Sequence, residues 1–240
     1  MIDKSISVFL PAYNEEENIK TCVLSVKKYL SRRFKDYEIL VISNGSTDNT
    51  DKEVLELAKK DNHIRLINEK KIGFGAALRS GFANSSKELI FYTDADNQYN
   101  IENLDTLLPM LSSYDIVSGY RIKRRDPLMR VFIGNVYNLL IRVLFNLDIR
   151  DIDASFKLYK KEVLEKMKLK SNTGLIDAEL LIKARKKGFR IGQVGVAHYP
   201  RVKGRTIYEV GKRNNLIAIV RPKVILDIFR EIKRLWRELR

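Results

Sequence analysis

The chain has 240 residues, 45% apolar and 31% charged, which excludes a disordered protein and suffices to bury a sizeable core. Its net charge of +15 points to an anionic partner: a phosphorylated substrate, an anionic membrane surface or nucleic acid. One cysteine, Cys22, excludes an internal disulfide and a thiolate zinc cluster, and its place on a helix face reads as inert. The positive excess lies beyond residue 120, so a near-neutral half precedes a basic half. No apolar run reaches the length of a bilayer span, and residues 1–5 lead straight into a strand without a signal peptide. The expectation is a cytoplasmic protein, peripheral on the cytoplasmic face of a membrane.

In chain order, apolar periodicity predicts a strand at 6–10, a helix at 18–30 and a strand at 38–42. A helix at 50–60, a strand at 64–67 and a glycine-containing turn at 70–77 follow, the turn opening a helix that ends near Asn84. The run 88–92 reads as a buried strand, 101–111 as a helix and 115–120 as a strand. Beyond a basic loop lie a long amphipathic helix at 128–145, an acidic segment at 151–157 and helices at 161–167 and 176–187. A strand at 191–196 leads to His198, and the tail from Asn214 reads as basic amphipathic helices split at Pro222. Strands alternating with helices of this length imply a mostly parallel sheet covered on both faces.

The strand at 88–92 stops on Asp94 and Asp96, with Gln98 two residues on. Carboxylates at i and i+2 of an extended chain point the same way. At the end of a central strand they face the crevice where α/β sheets bind ligands. A hard divalent cation resolves the repulsion of such a pair. Asp-Ala-Asp-Asn is also turn chemistry, so these residues alone leave turn and metal site both open.

Four loops fall on one edge of such a sheet: Pro-Ala-Tyr-Asn-Glu (11–15), Ser-Asn-Gly-Ser-Thr-Asp (43–48), Gly-Phe-Gly-Ala-Ala (73–77) and Asp-Ala-Asp-Asn-Gln (94–98). In this order and spacing they resemble the family 2 glycosyltransferases. Gly119-Tyr120-Arg121, Arg130 with Asn138, the segment 151–157 and the run from Arg201 to Thr206 resemble the dolichol-phosphate mannose synthase branch. The resemblance covers about residues 5–210 and implies a GT-A fold: α/β, Rossmann-like, with helices on both faces of a mostly parallel sheet. The catalytic domain is then 1–210, and 211–240 is a basic amphipathic helical extension.

By the same resemblance Pro11, Ala12, Tyr13 and Glu15 hold the base and ribose, with Asn44, Gly45, Gly73 and Gly75 also on the donor. Asp94 and Asp96, with Gln98 as a third contact, bind Mg²⁺ or Mn²⁺ against the diphosphate. Arg121, Arg130 and Arg201 surround the donor diphosphate or the acceptor phosphate. Asp96, Arg121, Asp153 and Arg201 are the catalytic candidates. Asp151, with Glu179 behind it, joins Asp153 as a possible base, or Asp151 anchors a loop to nearby arginines. Two positions depart from the pattern: Ser43-Asn44 replaces an aspartate pair, and Gly134 stands where the branch has serine.

The implied reaction moves a hexose of mannose or glucose type from a GDP- or UDP-linked donor to polyprenyl or dolichyl phosphate, with inversion. A phosphate acceptor is already anionic and needs no base, whereas a sugar or lipid hydroxyl acceptor needs a carboxylate. The expected partners are the nucleotide sugar, the lipid phosphate, an anionic membrane surface met mainly by the tail, and a membrane-anchoring protein. Helix 128–145 is expected to pack largely on the sheet. Scattered tyrosines argue against nucleic-acid binding, and the Ser43-Asn44 departure also motivates a catalytically inert relative.

Overall fold

The computed structural model describes residues 1–122, 128–201, 203 and 222–239, the side chains of 128–130 and 222–225 excepted. Strands β1 (Ile6–Ala12), β2 (Tyr37–Ser43), β3 (Ile64–Asn68), β4 (Leu89–Thr93), β5 (Ile116–Ile122), β6 (Phe156–Lys160) and β7 (Ile191–Ala197) form one sheet. Its order is β3-β2-β1-β4-β6-β5-β7. β1 pairs in parallel with β2 and β4, and β2 with β3. β6 runs antiparallel to both β4 and β5, and β7 is parallel to β5. The carboxyl ends of every strand but β6 therefore share one edge, joined there by the amino end of β6. This is the GT-A arrangement.

Nearly every residue of β1, β2 and β4 is buried, as expected of strands covered on both faces. Helices α1 (Ile19–Arg33) and α2 (Thr50–Ala58) belong to the first half. α1 sends Ile19, Val23, Val26 and Leu30 into the core on one side of the sheet. Helix α3 (Phe74–Asn84) and helix α7 (Leu175–Lys186) contribute to the core on the other side. Cys22 is buried in α1 and its thiol pKa is raised by burial, so it is inert.

Three expectations need correcting. β6 reads in sequence as part of an acidic loop, yet it is the strand that separates β4 from β5. The helix expected at 101–111 is a short α-helical turn, α4 (Leu104–Leu107), flanked by 3₁₀ turns; Pro109 cannot donate to a continuing helix. The third concerns helix α5 (Leu128–Phe145): Ile141 is buried, but Phe132, Val136, Leu139 and Val143 form a stripe at least half exposed. α5 carries apolar residues on more than one face, between Asn135, Asn138 and Arg142, so packing covers only part of them. Lys161–Glu165 is helix α6.

The C-terminal helix α8 (Pro222–Leu239) docks Ile232 and Leu235 into the core beside α7, leaving Leu226 and Phe229 exposed. The tail thus spends part of its apolar face inside the protein. The boundary expected at 210, the tail upstream of Pro222, the loop 123–127, and 202 with 204–206 lie outside the described residues.

Gly81 lies where α3 crosses β1, and a Cβ there would come within 2.3 Å of the Phe9 ring. Alanine is the better helix former, but overpacking outweighs that preference. Gly81→Ala is expected to destabilise the protein by about 1–3 kcal/mol, read as a lower urea midpoint at unchanged m.

Candidate active site

The loops at the carboxyl edge are knitted to one another by side chains. Asn14, at φ 54°, accepts the Thr47 N–H through its side-chain oxygen at 2.8 Å. The Thr50 hydroxyl accepts the Glu15 N–H at 2.8 Å, and Asp48 accepts the Glu16 N–H at 3.1 Å. Pro11 and Ala12 end β1, Tyr13 is half-buried in the bend that follows, and Gly45 turns the chain after β2 at φ 79°.

The expected donor loops are mostly committed to internal contacts. Asn44 donates its amide to the Lys71 carbonyl at 2.7 Å and accepts the Gly73 N–H at 2.7 Å. The Gly75 N–H donates to the Asn172 carbonyl at 3.0 Å. A Cβ on Gly75 would lie 2.3 Å from the Ser171 carbonyl, and Gly73 sits at φ 135°. Both glycine N–H groups thus have internal acceptors, and the lack of side chains lets segment 171–172 approach the turn.

Glu15 accepts from Arg201 at 2.5 and 2.6 Å and from the Asn18 amide at 2.8 Å. Its carboxylate is thus occupied by neighbours rather than turned out toward a ribose. Burial still raises its pKa above the usual carboxylate value. Arg201 also reaches Asp96 at 3.4 Å, and the Gln98 amide donates to the Tyr199 carbonyl at 2.9 Å. The strap carrying Arg201 is thereby fastened to the acid loop.

Asp94 and Asp96 stand together at the end of β4. Burial, then the charge of Asp96, pushes the Asp94 pKa up to about 7. Across the edge, Arg121 grips Asp151 with Nε and Nη2, both at 2.7 Å. Asp151 is thus the loop anchor, one of its two expected roles. Asp153 is half-buried, and burial, then Asp177, raises its pKa to about 7. The Asn138 side chain of α5 accepts the Ile152 N–H at 3.0 Å, fixing this acidic segment from the other side. Arg130 lies in α5, its side chain outside the described residues. Glu179 accepts from Lys183 and from the Lys170 and Ser171 N–H groups, away from this edge.

Sequence reasoning missed a buried ion pair beneath the acids. Lys157, fully buried on β6, meets Asp177 at 2.9 Å, and Tyr92 donates to the same carboxylate. The ammonium also donates to the Ala154 carbonyl at 2.5 Å and to the Tyr92 hydroxyl at 3.2 Å. One cation thus ties the strand that ends in Asp94 to the backbone beside Asp153. A lysine inside the apolar run Phe156-Lys157-Leu158 was the available signal.

A seven-stranded, mostly parallel sheet with paired acids at its carboxyl edge defines a Rossmann-like GT-A protein. Residues 7–168 match the family model described as Glycosyl transferase family 2, and the chain belongs to that family. It is 28% identical to Glycosyltransferase AglD of Haloferax volcanii over 98% of this chain and 37% of that protein. It is 32% identical to the dolichyl-phosphate beta-glucosyltransferase ALG5C of Trichomonas vaginalis, over 78% of this chain and 61% of that one. The chain thus spans less than two thirds of the length of these curated relatives. Among solved structures, glucosyl-3-phosphoglycerate synthase from Mycobacterium tuberculosis, in complex with Mn²⁺ and UDP-glucose, superposes with a TM-score of 0.67 at 20% identity. That match covers 85% of this chain and 73% of the synthase, and it shows the shared fold.

Lys157→Met is expected to cost about 3–5 kcal/mol, because Asp177 is left as an uncompensated buried charge. Adding Asp177→Asn should recover much of that loss, and chemical unfolding of the single and double variants measures the coupling. A second expectation concerns pH. The folded Asp153 carboxyl keeps its proton up to about 7 while the unfolded chain releases it near 3.8. Its contribution to stability is therefore present at acid pH and lost as pH rises through about 7. Asp153→Asn should flatten that part of the profile in urea titrations at successive pH values.

Proposed function

We propose that this chain is a metal-dependent, inverting glycosyltransferase that moves a hexose from a nucleotide sugar to a polyprenyl phosphate. Glucose and UDP are the favoured sugar and nucleotide. The observation that carries the reading is the Asp94–Asp96 pair, Asp96 buried and Asp94 half-buried, whose charge Arg201 offsets from the Asp96 side. Support for the acceptor comes from relatives named dolichyl-phosphate beta-glucosyltransferases.

The acids fit a divalent cation in a particular way. Asp94 holds its proton up to about 7 because burial and Asp96 disfavour a second charge, so added positive charge would be welcome there. Among the described residues no group of three or more His, Cys, Asp or Glu could hold a metal ion. A cation would thus be shared between Asp94, Asp96, the Gln98 amide and the donor's diphosphate oxygens, the usual habit of Mg²⁺ and Mn²⁺. Bound there, it would neutralise the charge that builds on the departing nucleoside diphosphate.

The remaining work falls to the chain. Pro11, Ala12 and Tyr13 flank the base, with Gly45 at the neighbouring turn. Glu15 holds Arg201 beside Asp96, where its guanidinium can turn toward a diphosphate. Arg121, fixed by Asp151, sets a positive wall on the acceptor side, and Arg130 is assigned there by its place in α5. An acceptor phosphate oxygen attacks C1 without losing a proton, so catalysis is positioning and electrostatics.

The exposed stripe of α5, on the helix whose buried Asn138 holds the acidic segment, would lie on the bilayer holding the lipid. α5 replaces the tail as the principal membrane surface in this reading. Among the described residues no helix is long and apolar enough to cross the membrane.

One observation favours a second acceptor class. A carboxyl titrating at about 7, as Asp153 does, suits a general base for a hydroxyl acceptor. Purified protein with Mn²⁺ should be offered UDP- and GDP-sugars with either polyprenyl phosphate or sugar hydroxyl acceptors. The expected result is glycosyl transfer to the lipid phosphate, at least about a hundredfold slower in Asp96→Ala. Transfer to hydroxyls alone, with a rate limb near pH 7 removed by Asp153→Asn, would establish the second reading instead.

A further inference from the structure

We infer that α8 is a working part of the donor site: Glu231 is a positioning residue that sets nucleotide affinity by holding segment 171–173 against the glycine turn. The inference rests on the donor-site reading of that turn. α8 lies wholly beyond the residues matched by the family model, 7–168.

The coupling is a continuous series of short contacts. Glu231, nearly buried, accepts the Asn172 N–H at 2.8 Å, the Thr173 hydroxyl at 2.6 Å and the Thr173 N–H at 3.4 Å. Arg234, one turn on, donates to the Ser171 hydroxyl at 3.1 Å. On its other side the segment meets the turn backbone to backbone. The Gly75 N–H bonds the Asn172 carbonyl, and a Cβ at Gly73 would lie 2.8 Å from that oxygen. Arg79 of α3 closes the contact, donating to the Ser171 carbonyl and, at 2.7 Å, to the Asn172 side chain. From Gly73 the series passes to Asn44 at the end of β2.

These contacts differ in kind from the rest of the α8 interface. Ile232 and Leu235 supply apolar burial, and Glu238 pairs with Lys183 and Lys170 at 2.9 and 3.0 Å. The ion pairs of Glu238 go to Lys183 and Lys170 rather than to segment 171–173. Glu231 instead puts a carboxylate at the start of α7, where the helix N–H groups favour negative charge, and spends it on the segment that backs the donor turn. Without it, Asn172 and Thr173 lose their charge-assisted acceptor. The Gly73–Gly75 turn then loses the surface it rests on.

The test compares the full chain with Glu231→Ala, Glu231→Gln and Glu238→Ala by calorimetric titration of UDP and GDP in Mn²⁺, alongside steady-state kinetics. Glu231→Ala should weaken nucleotide binding about tenfold, the worth of one charge-assisted hydrogen bond, and raise the donor KM with kcat and acceptor KM little changed. Glu231→Gln, which keeps an accepting oxygen, should recover most of the affinity. Glu238→Ala should lower the melting temperature without changing nucleotide affinity. Should Glu231→Ala not fold, a smaller donor-specific loss in Glu231→Gln than the tenfold, still absent from Glu238→Ala, carries the same conclusion. Parent-like affinity in the Glu231 variants, or an equal loss in Glu238→Ala, would overturn the inference and leave α8 a brace. Failure of the parent itself to bind either nucleotide would instead overturn the donor-site reading, and this inference with it.

Discussion

Like charges crowded at one edge of a sheet are the constraint on which this structure depends. Asp94, Asp96, Asp153 and Asp177 come together there, and such a cluster disfavours its own ionisation unless cations are built in. Lys157 supplies one from inside the core, paired with Asp177, while Arg121 and Arg201 supply others nearer the surface. The antiparallel β6 makes the first possible. Its register places Lys157 opposite Tyr92, so the ammonium can serve the strand that ends in Asp94 and the loop that precedes β6 together. The compensation stops short of Asp94 and Asp153, whose pKa values remain near 7. Among the described residues these carboxyls are therefore short of positive charge, which a nucleotide–metal complex would bring.

The same accounting explains the pairing of loops with straps. Arg201 comes from a segment far along the chain, yet its guanidinium is clasped by Glu15, at the end of the first strand. A third carboxylate thus fixes an arginine beside the acid pair, within 3.4 Å of Asp96. Gln98 repeats the device with a neutral side chain, fastening the backbone of Tyr199 to the acid loop. The loops and the segment carrying Arg201 are thus fixed to each other by polar contacts at the rim, while two apolar layers fix the sheet beneath.

The parallel half of the fold was legible because its strands are apolar at both faces and its helices keep a 3.6-residue period. The acid pair was legible because Asp94-Ala95-Asp96 directly follows a buried run. β6 was not: Phe156-Lys157-Leu158-Tyr159-Lys160 carries lysines that ordinarily mark a solvated segment, and only a buried partner on α7 makes Lys157 tolerable. Nor was the direction of α5 legible, since a helix with apolar residues on more than one face does not say which of them packs inward. Nor was the neighbour of Gly73 and Gly75 legible, which is the backbone of segment 171–172. A glycine advertises a close approach, but sequence does not say whether a ligand or another stretch of backbone makes it.

Asn44 bears on whether losing the family's aspartate pair disables the site. Its side chain accepts from the Gly73 N–H and donates to the Lys71 carbonyl, each at 2.7 Å. An aspartate could make the first contact, but an ionised carboxylate set against the Lys71 carbonyl would be repelled where the amide is held. Asparagine thus suits a site in which this position organises the turn at 71–75 rather than meeting the base through a charge. Under the proposed reading, base recognition would fall to Pro11, Ala12, Tyr13 and the backbone around Gly45. The acid pair is untouched by the change, because it follows another strand, β4, and Arg201 approaches it at Asp96. On the proposed reading the departure would alter the base pocket and leave the acid pair as it is, which weighs against an inert relative.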